Sequence, residues 1–169
     1  YLNGDGAKKP LGVFTPSNDG ISTTYDVSTG NTTTSVTFDG LKEAYYALKA
    51  PYRRNASWIF NRAGVTKIAK LKDGNGQYIW QPSVAADKPD TILTRPVYES
   101  EYAPNTWTTG LYVGIVGDFS YYWIVDALSL QIQVLRELYA ATNQTGYIAR
   151  MESDGMPVLG EAFRRVKLA

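Results

Sequence analysis

A chain of 169 residues, 44% of them hydrophobic, suits one globular domain with a sizeable core, which excludes disorder of the whole chain. Seventeen basic and 16 acidic residues give a formal net charge of +1, so no global charge attracts nucleic acid or an anionic membrane. Histidine and cysteine are absent, which removes the commonest general base, the thiolate nucleophile and the commonest metal ligands, so we expect no enzymatic activity, cofactor or metal.

The chain is rich in loop residues before its first helix. Glycine and proline surround the apolar stretch 11–14, which predicts a loop followed by a brief extended segment. Ser, Thr, Asn, Asp and Gly dominate residues 17–37, a composition typical of a long loop or an edge hairpin. Residues 39–49 predict an amphipathic helix that Pro51 ends. Its apolar stripe consists of Leu41, Ala44, Tyr45 and Leu48.

A strand and a second helix are predicted next. The sequence SWIF at residues 57–60 favours a buried strand, and Asn61 can cap a helix that runs to about Leu71. The sequence DGNG at residues 73–76 tolerates positive φ and therefore predicts a turn, followed by a strand-like stretch at 78–80.

The second half of the chain is predicted to be mainly β-structure. Residues 91–99 and 111–116 are extended, and residues 128–134 alternate so strictly that we expect a strand with one face in water. Two further strands are predicted at 146–151 and 158–167, separated by a turn at 153–155. The fold class is therefore α+β, with a mainly antiparallel or mixed sheet and two or more helices.

Acidic residues offer two weak candidates for a chemical site. Asp73, Asn75 and Gln77 alternate as in a calcium loop, but the closing glutamate of such a loop is missing, which favours a plain hairpin turn. Asp118 and Asp126 flank an aromatic run and could form an acid/base pair beside a sugar platform. A packed strand or turn explains these two carboxylates better, because aromatic side chains are equally common at subunit interfaces.

Two pairs of arginines are the candidates for contact with nucleic acid. They are Arg53 with Arg54 and Arg164 with Arg165. A pair of guanidinium groups can bind phosphate, although most such pairs lie on solvated or ion-paired surface. No basic stripe with interleaved aromatic residues surrounds either pair.

Several segments, taken in order, resemble the major capsid protein family of tailed bacteriophages, whose fold was first associated with the Hong Kong phage and is shared with encapsulins. GDGAKKPLG at residues 4–12 resembles the family's GDG and PxG turn. WIFN at 58–61, leading into LKDGNGQY at 71–78, is similar to its strand, helix and LKDxxGxY hairpin. LTRPV at 93–97 resembles the LxGxPV strand, with arginine where glycine is usual. GDFSYY at 117–122 and the stretch 155–163 resemble the GDF and terminal AF segments.

The resemblance implies a particular division of the chain. Residues 1–117 would form most of an axial domain, residues 118–155 would form strands of the peripheral β lobe, and residues 156–169 would be a returning terminal strand. The family's amino-terminal arm, extended loop and spine helix are expected upstream of Tyr1. The lysine–asparagine crosslink found in one phage of the family is not expected from this sequence.

The function implied is structural. The chain would self-assemble, as pentamers and hexamers, into the icosahedral head that encloses a phage or prophage genome. It would be located in the virion and, during assembly, in the bacterial host cytoplasm. No apolar run approaches the roughly 20 residues that span a bilayer, so we expect no membrane partner. A structural protein of this kind is also expected to have no small-molecule substrate. An encapsulin shell and a glycan-binding β-rich module are the alternatives.

In a protein that assembles into a shell, the functional residues are those on the surfaces that contact other copies. We expect contacts around the symmetry axis from the loops at residues 17–37 and 83–90, and contacts between capsomers from the strand lobe at 128–136. The interface candidates are Trp123, Leu130, Ile132 and Arg136.

Overall fold

The computed structural model describes residues 1–80 and 90–169. Eight strands lie in these ranges: β1 (Asp26–Val27), β2 (Ser57–Phe60), β3 (Thr91–Ile92), β4 (Arg95–Glu99), β5 (Tyr112–Gly117), β6 (Tyr122–Leu135), β7 (Gly146–Pro157) and β8 (Phe163–Lys167). Three α-helices accompany them: α1 (Phe38–Ala47), α2 (Ala50–Arg53) and α3 (Arg62–Ala69). The predicted α+β class, with mixed and antiparallel pairing, is confirmed.

Six strands form one mixed sheet in the order β1-β8-β5-β2-β4-β3. The pairs β1·β8 and β2·β4 are parallel, whereas β2·β5, β5·β8 and β3·β4 are antiparallel. The last strand in the chain therefore lies inside this sheet, between the first strand and β5. The remaining strands, β6 and β7, pair antiparallel with each other in a separate two-stranded sheet.

Strand β2 forms at the predicted position because its residues suit a buried centre. Trp58 and Phe60 point to the same side and are both fully buried, with their rings stacked at a centroid distance of 5.6 Å. Gly114 of β5 lies opposite Phe60, and a Cβ at that glycine would lie 2.0 Å from Cε1 of the phenylalanine ring. The absence of a side chain at Gly114 therefore lets the ring lie flat against the neighbouring strand.

The predicted first helix is confirmed, with a different ending. Thr37 caps α1 by accepting a hydrogen bond from the backbone N–H of Gly40 at 3.0 Å, and Leu41 and Ala44 are buried on the core side. The helix ends at Ala47. Pro51 lies in the first turn of α2, where a proline is tolerated because the missing N–H would have no partner within the helix.

Strand β2 passes directly into α3 through Asn61. The Asn61 Oδ1 accepts a hydrogen bond from the backbone N–H of Ala63 at 3.0 Å, which confirms the predicted cap. Its Nδ2 donates to the carbonyl oxygens of Ser100, Glu101 and Ala103 at 3.3–3.4 Å. One buried side chain therefore both starts a helix and holds the loop that follows β4.

Several strand predictions differ from the structure, and the strand predicted at 158–167 begins only at Phe163. The expected turn at 153–155 is absent because β7 runs through these residues, and Gly155 pairs with Ile124. No strand forms at 78–80, where Tyr78 makes only an isolated bridge to Lys72. The extended run 91–99 is interrupted by a tight turn in which Leu93 and Thr94 have φ of 50° and 66°. Arg95 is therefore not at the position of the turn that favours glycine.

The core consists of two clusters of buried side chains. The larger contains Leu41, Leu48, Trp58, Phe60 and Ile68 among others, and includes side chains from α1, β2 and α3. The second is built around Phe14, Ile21, Ile115 and Phe163. Among the described residues, no helix is both long and apolar enough to cross a membrane.

Candidate subunit-interface surface

The β6–β7 hairpin is anchored at its base to the body of the protein. Asp118 caps the turn before β6, where its Oδ1 accepts hydrogen bonds from the backbone N–H and the hydroxyl of Ser120. The Tyr122 hydroxyl donates to the carbonyl of Leu11 at 2.9 Å, and the Leu11 N–H donates to the carbonyl of Gly155 at 2.8 Å. The first residues of the chain thus fix where the hairpin begins.

Beyond this base the hairpin is exposed. Its register is regular from Gln131, opposite Arg150, to Leu135, opposite Gly146, and shifts twice between Asp126 and Gln131. Such irregularities bend and twist a ribbon, so they orient the outer half of the hairpin relative to its base.

The outer half of the hairpin carries apolar side chains with no cover. Leu130, Ile132 and Val134 are 61%, 63% and 44% exposed, and Tyr147, which pairs with Val134, is 69% exposed. The prediction that this strand has only one face in water is therefore wrong for the single chain. A contiguous apolar surface of this kind usually marks a protein–protein contact.

The four interface candidates all lie on this hairpin and are all exposed. Trp123 is at the base, Leu130 and Ile132 lie in the outer half of β6, and Arg136 follows the end of β6. Residues 134–138 line a concave surface at the tip, where Leu138 is exposed. Tyr147 was not among the interface candidates, although its position in the predicted strand 146–151 could have indicated it.

The loop at residues 17–37, which we expect to make contacts around the symmetry axis, is held partly against β8 of its own chain. Residues 17–37 pack partly on β8, because the Ser22 carbonyl accepts a hydrogen bond from Arg165 and Asn31 Nδ2 donates to the Lys167 carbonyl. Residues 83–89 of the second loop lie outside the described residues.

Arg164 and Arg165 are buried, so the prediction that they contact nucleic acid is withdrawn. Arg165 is fully buried and its Nε lies 2.7 Å from Asp26 Oδ1. Arg164 Nη1 donates to the carbonyls of Glu161 and Phe163, and burial lowers the pKa of this guanidinium. Both cations are held inside the protein by these partners, out of reach of a phosphate.

Arg53 and Arg54 remain accessible at the end of α2. Arg54 is exposed and Arg53 is half-buried, with its guanidinium against the rings of Tyr45 and Tyr46. These two residues stay candidates for contact with an anion.

Two of the three carboxylates considered as chemical groups, Asp73 and Asp118, have structural partners, whereas Asp126 is exposed on β6 and its side chain makes no hydrogen bond to the described residues. Asp73 Oδ1 accepts hydrogen bonds from the N–H groups of Asn75 and Gln77 at 2.9 Å, as expected for a hairpin turn. Asp118 serves as the cap described above. Glu161 binds Lys49 and Tyr52, and these hydrogen bonds lower its pKa and raise that of Tyr52 to about 12.

The model of the phage capsid family matches residues 1–168. The chain belongs to the phage capsid family. This confirms the resemblance found in the turn, strand and hairpin motifs. No match is found among curated proteins.

Solved capsids share the fold. The capsid of an empty GTA particle, computed with C5 symmetry, is 26% identical to this chain, with a TM-score of 0.80, and the match covers 100% of this chain and 60% of that one. The capsid of a native GTA particle gives the same identity and TM-score, with 99% and 59% covered. A structure of Gordonia phage Cozz has the same fold, at 16% identity and a TM-score of 0.60, over 94% of this chain and 52% of that one. The chain thus spans about 60% of the length of the GTA capsid chains.

Proposed function

We propose that the chain is part of a major capsid protein that self-assembles into an icosahedral shell. The observation that carries this proposal is the family match along residues 1–168, together with a 26% identical GTA capsid whose fold covers the whole chain. The family and fold are structural, and we propose no catalytic activity. Repetition around symmetry axes, as pentamers and hexamers, would make modest contacts between copies sum to a stable closed shell.

The β6–β7 hairpin is the proposed contact between capsomers. Its apolar face is uncovered in the single chain, and a neighbouring copy would remove Leu130, Ile132 and Tyr147 from water. Two strands alone are marginally stable in water, so a second copy would also stabilise the hairpin itself. This supports the division into an axial domain at 1–117, peripheral strands at 118–155 and a returning strand at 156–169.

The shell is proposed to enclose a phage or prophage genome. The protein would then lie in the virion, after assembly in the bacterial host cytoplasm. Contact with packaged nucleic acid would be local, because the formal net charge of the chain is only +1. Arg53 and Arg54 are the remaining candidates for that contact.

Electron microscopy of the protein, expressed from its complete gene, tests the shell. We expect closed icosahedral particles or capsomer rings. A correctly folded protein that stays monomeric at high concentration would contradict the proposal, and millimolar to micromolar affinity for a sugar would then favour the glycan-binding module. Particles isolated from cells with an enzyme as their cargo would contradict the genome-enclosing role and favour an encapsulin.

A further inference from the structure

Three arginines from two distant parts of the sequence meet beside α1. The Arg53 guanidinium carbon lies 5.9 Å and 5.6 Å from the ring centroids of Tyr45 and Tyr46. Arg95 Nε donates to the Tyr45 hydroxyl at 3.4 Å, and its Nη1 donates to the backbone carbonyl of Arg54 at 2.6 Å. Arg53, Arg54 and Arg95 are called the arginine cluster below.

No acidic side chain among the described residues forms an ion pair with the arginine cluster. The nearest acidic residues along α1 are Asp39, which pairs with Lys42, and Glu43, which joins no ion pair within the described chain. Arg53 Nε is buried and has no hydrogen-bond partner among residues 1–80 and 90–169. Arg53 and Arg95 both lie against Tyr45, and Arg54 is exposed next to Arg53 in the chain, so an anion bound here would be stabilised by nearby positive charge.

The side chains are also arranged to present hydrogen-bond donors. A guanidinium has five N–H donors, and Arg95 directs two of its nitrogens to the Tyr45 hydroxyl and the Arg54 carbonyl, which leaves donors for a ligand. Arg54 is exposed, and its guanidinium makes no hydrogen bond to the described residues. The tyrosine rings hold Arg53 in place, so little side-chain entropy is lost when it binds.

We propose that the arginine cluster binds consecutive phosphates of a nucleic-acid strand. This inference rests on the proposed function, since a genome-enclosing shell supplies the strand. A single carboxylate from another protein would offset one of three charges, whereas a strand of duplex carries one phosphate charge about every 3.4 Å of helix axis. Tyr46, which is 65% exposed beside Arg53, adds an aromatic face next to the phosphate contacts.

The test is fluorescence anisotropy with a fluorescein-labelled 30-base-pair duplex, titrated with wild type and Arg54→Gln at several NaCl concentrations. Arg54 is exposed, and its side chain makes no hydrogen bond to the described residues, so the variant should fold normally. We expect binding about threefold to tenfold weaker at low salt, and a log–log salt slope smaller by about 1. The matched control is Arg62→Gln, which removes the same charge from an exposed arginine paired with Glu101.

Arg95→Lys provides a second variant, because lysine keeps the charge but loses the planar fork. We expect it to weaken binding while leaving the circular dichroism spectrum unchanged. Inorganic phosphate added at constant ionic strength should not displace the duplex, because single phosphates cannot bridge the cluster. Displacement would show a site for free phosphate and overturn the proposal, as would an Arg62→Gln effect equal to that of Arg54→Gln or an absence of binding by wild type at low salt.

Electron microscopy of Arg54→Gln separates this proposal from the shell itself. Normal shells from a variant with weakened DNA binding would support the arginine cluster as a nucleic-acid site. Loss of shells with unchanged DNA binding would instead show that Arg54 contacts the acidic residues of a second copy, which overturns the proposal. Absence of shells from wild type would contradict the proposed function, while the anisotropy would still decide whether the cluster binds nucleic acid.

Discussion

Arg165 shows how a single residue joins the two ends of the described chain. Its guanidinium is fully buried, pairs with Asp26, donates to the Ser22 carbonyl and lies 4.6 Å from the Tyr112 ring centroid. Burying a charged pair is costly, but removing one partner costs more, because the other charge is then left without compensation in the core. The ion pair between Arg165 and Asp26 therefore fixes the register in which β1 pairs with β8.

Tyr112 makes the stability of this group dependent on alkaline pH. Burial and its hydrogen bond to Asp26 raise the pKa of Tyr112 to about 12, above the usual value near 10. The folded state therefore retains the phenol proton more strongly than the unfolded state. This stabilisation is complete below pH 10 and is lost as the pH rises from 10 to 12.

Tyr112→Phe should accordingly reduce the slope with which the free energy of unfolding falls between pH 10 and 12. Urea unfolding at a series of pH values measures this slope. Tyr102→Phe is the control, because its ring is 80% exposed, and it should keep the wild-type slope. Equal slopes for Tyr112→Phe and wild type would show that this phenol does not couple ionisation to folding.

Position 114 requires glycine because a side chain there would collide with the Phe60 ring, and not because of its backbone conformation. A methyl group there would lie 2.0 Å and 2.2 Å from two carbons of the buried Phe60 ring. We expect Gly114→Ala to lower the free energy of unfolding by about 1–3 kcal/mol in urea. Gly74→Ala, where nothing lies within 4 Å of the new carbon, should change it by less than about 0.5 kcal/mol. An unchanged free energy of unfolding in Gly114→Ala would mean that the Phe60 ring can move aside.

Single residues limited what could be predicted from sequence. Arg164 and Arg165 have the same local pattern as Arg53 and Arg54, yet one pair is buried and the other is not. The difference arises from Asp26, which is 139 positions from Arg165, and from the Tyr25 ring, 4.8 Å from the Arg164 guanidinium carbon. Arg95 joins Arg54 from 41 positions away. Such long-range partners have no signal in one sequence.

At the scale of elements, β2 and α3 form a unit that local signals describe well. The apolar run 57–60 and the capping residue Asn61 are adjacent in the sequence, and the structure begins and ends β2 where predicted. Asn61 then does more than cap, since its amide also donates to three carbonyls after β4. The cap was predictable from residue type, whereas the three carbonyls were not.

This double role predicts that Asn61→Ala destabilises the protein more than the loss of another helix cap. We expect its cost to exceed that of Thr37→Ala, at the cap of α1, by about 1–2 kcal/mol. The reason is that Asn61 is buried and its amide serves three acceptors, whereas Thr37 is half-buried and donates to the Gly30 carbonyl alone. Urea unfolding of both variants measures the difference. Equal costs would show that the carbonyls find water instead.

Elements defined by pairing were harder to predict than elements defined by local sequence. Serine, aspartate and glycine at 153–155 are turn residues by type, but the opposite strand β6 holds them extended. The two-residue strand β1 lies in a stretch typical of a loop and exists only because β8 pairs with it in parallel. Pairing with a distant strand overrides local propensity in both places.

At the scale of the whole molecule, the proposed contact through the apolar hairpin predicts that a variant can lose assembly without losing its fold. Leu130→Asp should abolish particles, because a carboxylate in a buried contact would lose its hydration. The urea unfolding midpoint of the Leu130→Asp variant should equal that of wild type, because the Leu130 side chain is exposed in the single chain. Trp123→Asp at the hairpin base should behave in the same way.

The control for these variants is Gln133→Asp, which adds the same charge to the same strand on the face opposite Ile132 and Val134. Its particles should form normally in electron microscopy. Intact shells from Leu130→Asp would remove the hairpin face from the contact between copies.

The position of β8 also has a consequence during synthesis on the ribosome. This strand inserts between β1 and β5, yet it follows every other strand of that sheet in the chain. A nascent chain therefore cannot close the sheet, or bury Asp26 against Arg165, until residue 167 has left the exit tunnel. Translation at about 5–20 residues per second makes this a delay of about 7–28 s after β1 emerges. A polypeptide that ends before Phe163 should therefore be unable to complete this sheet.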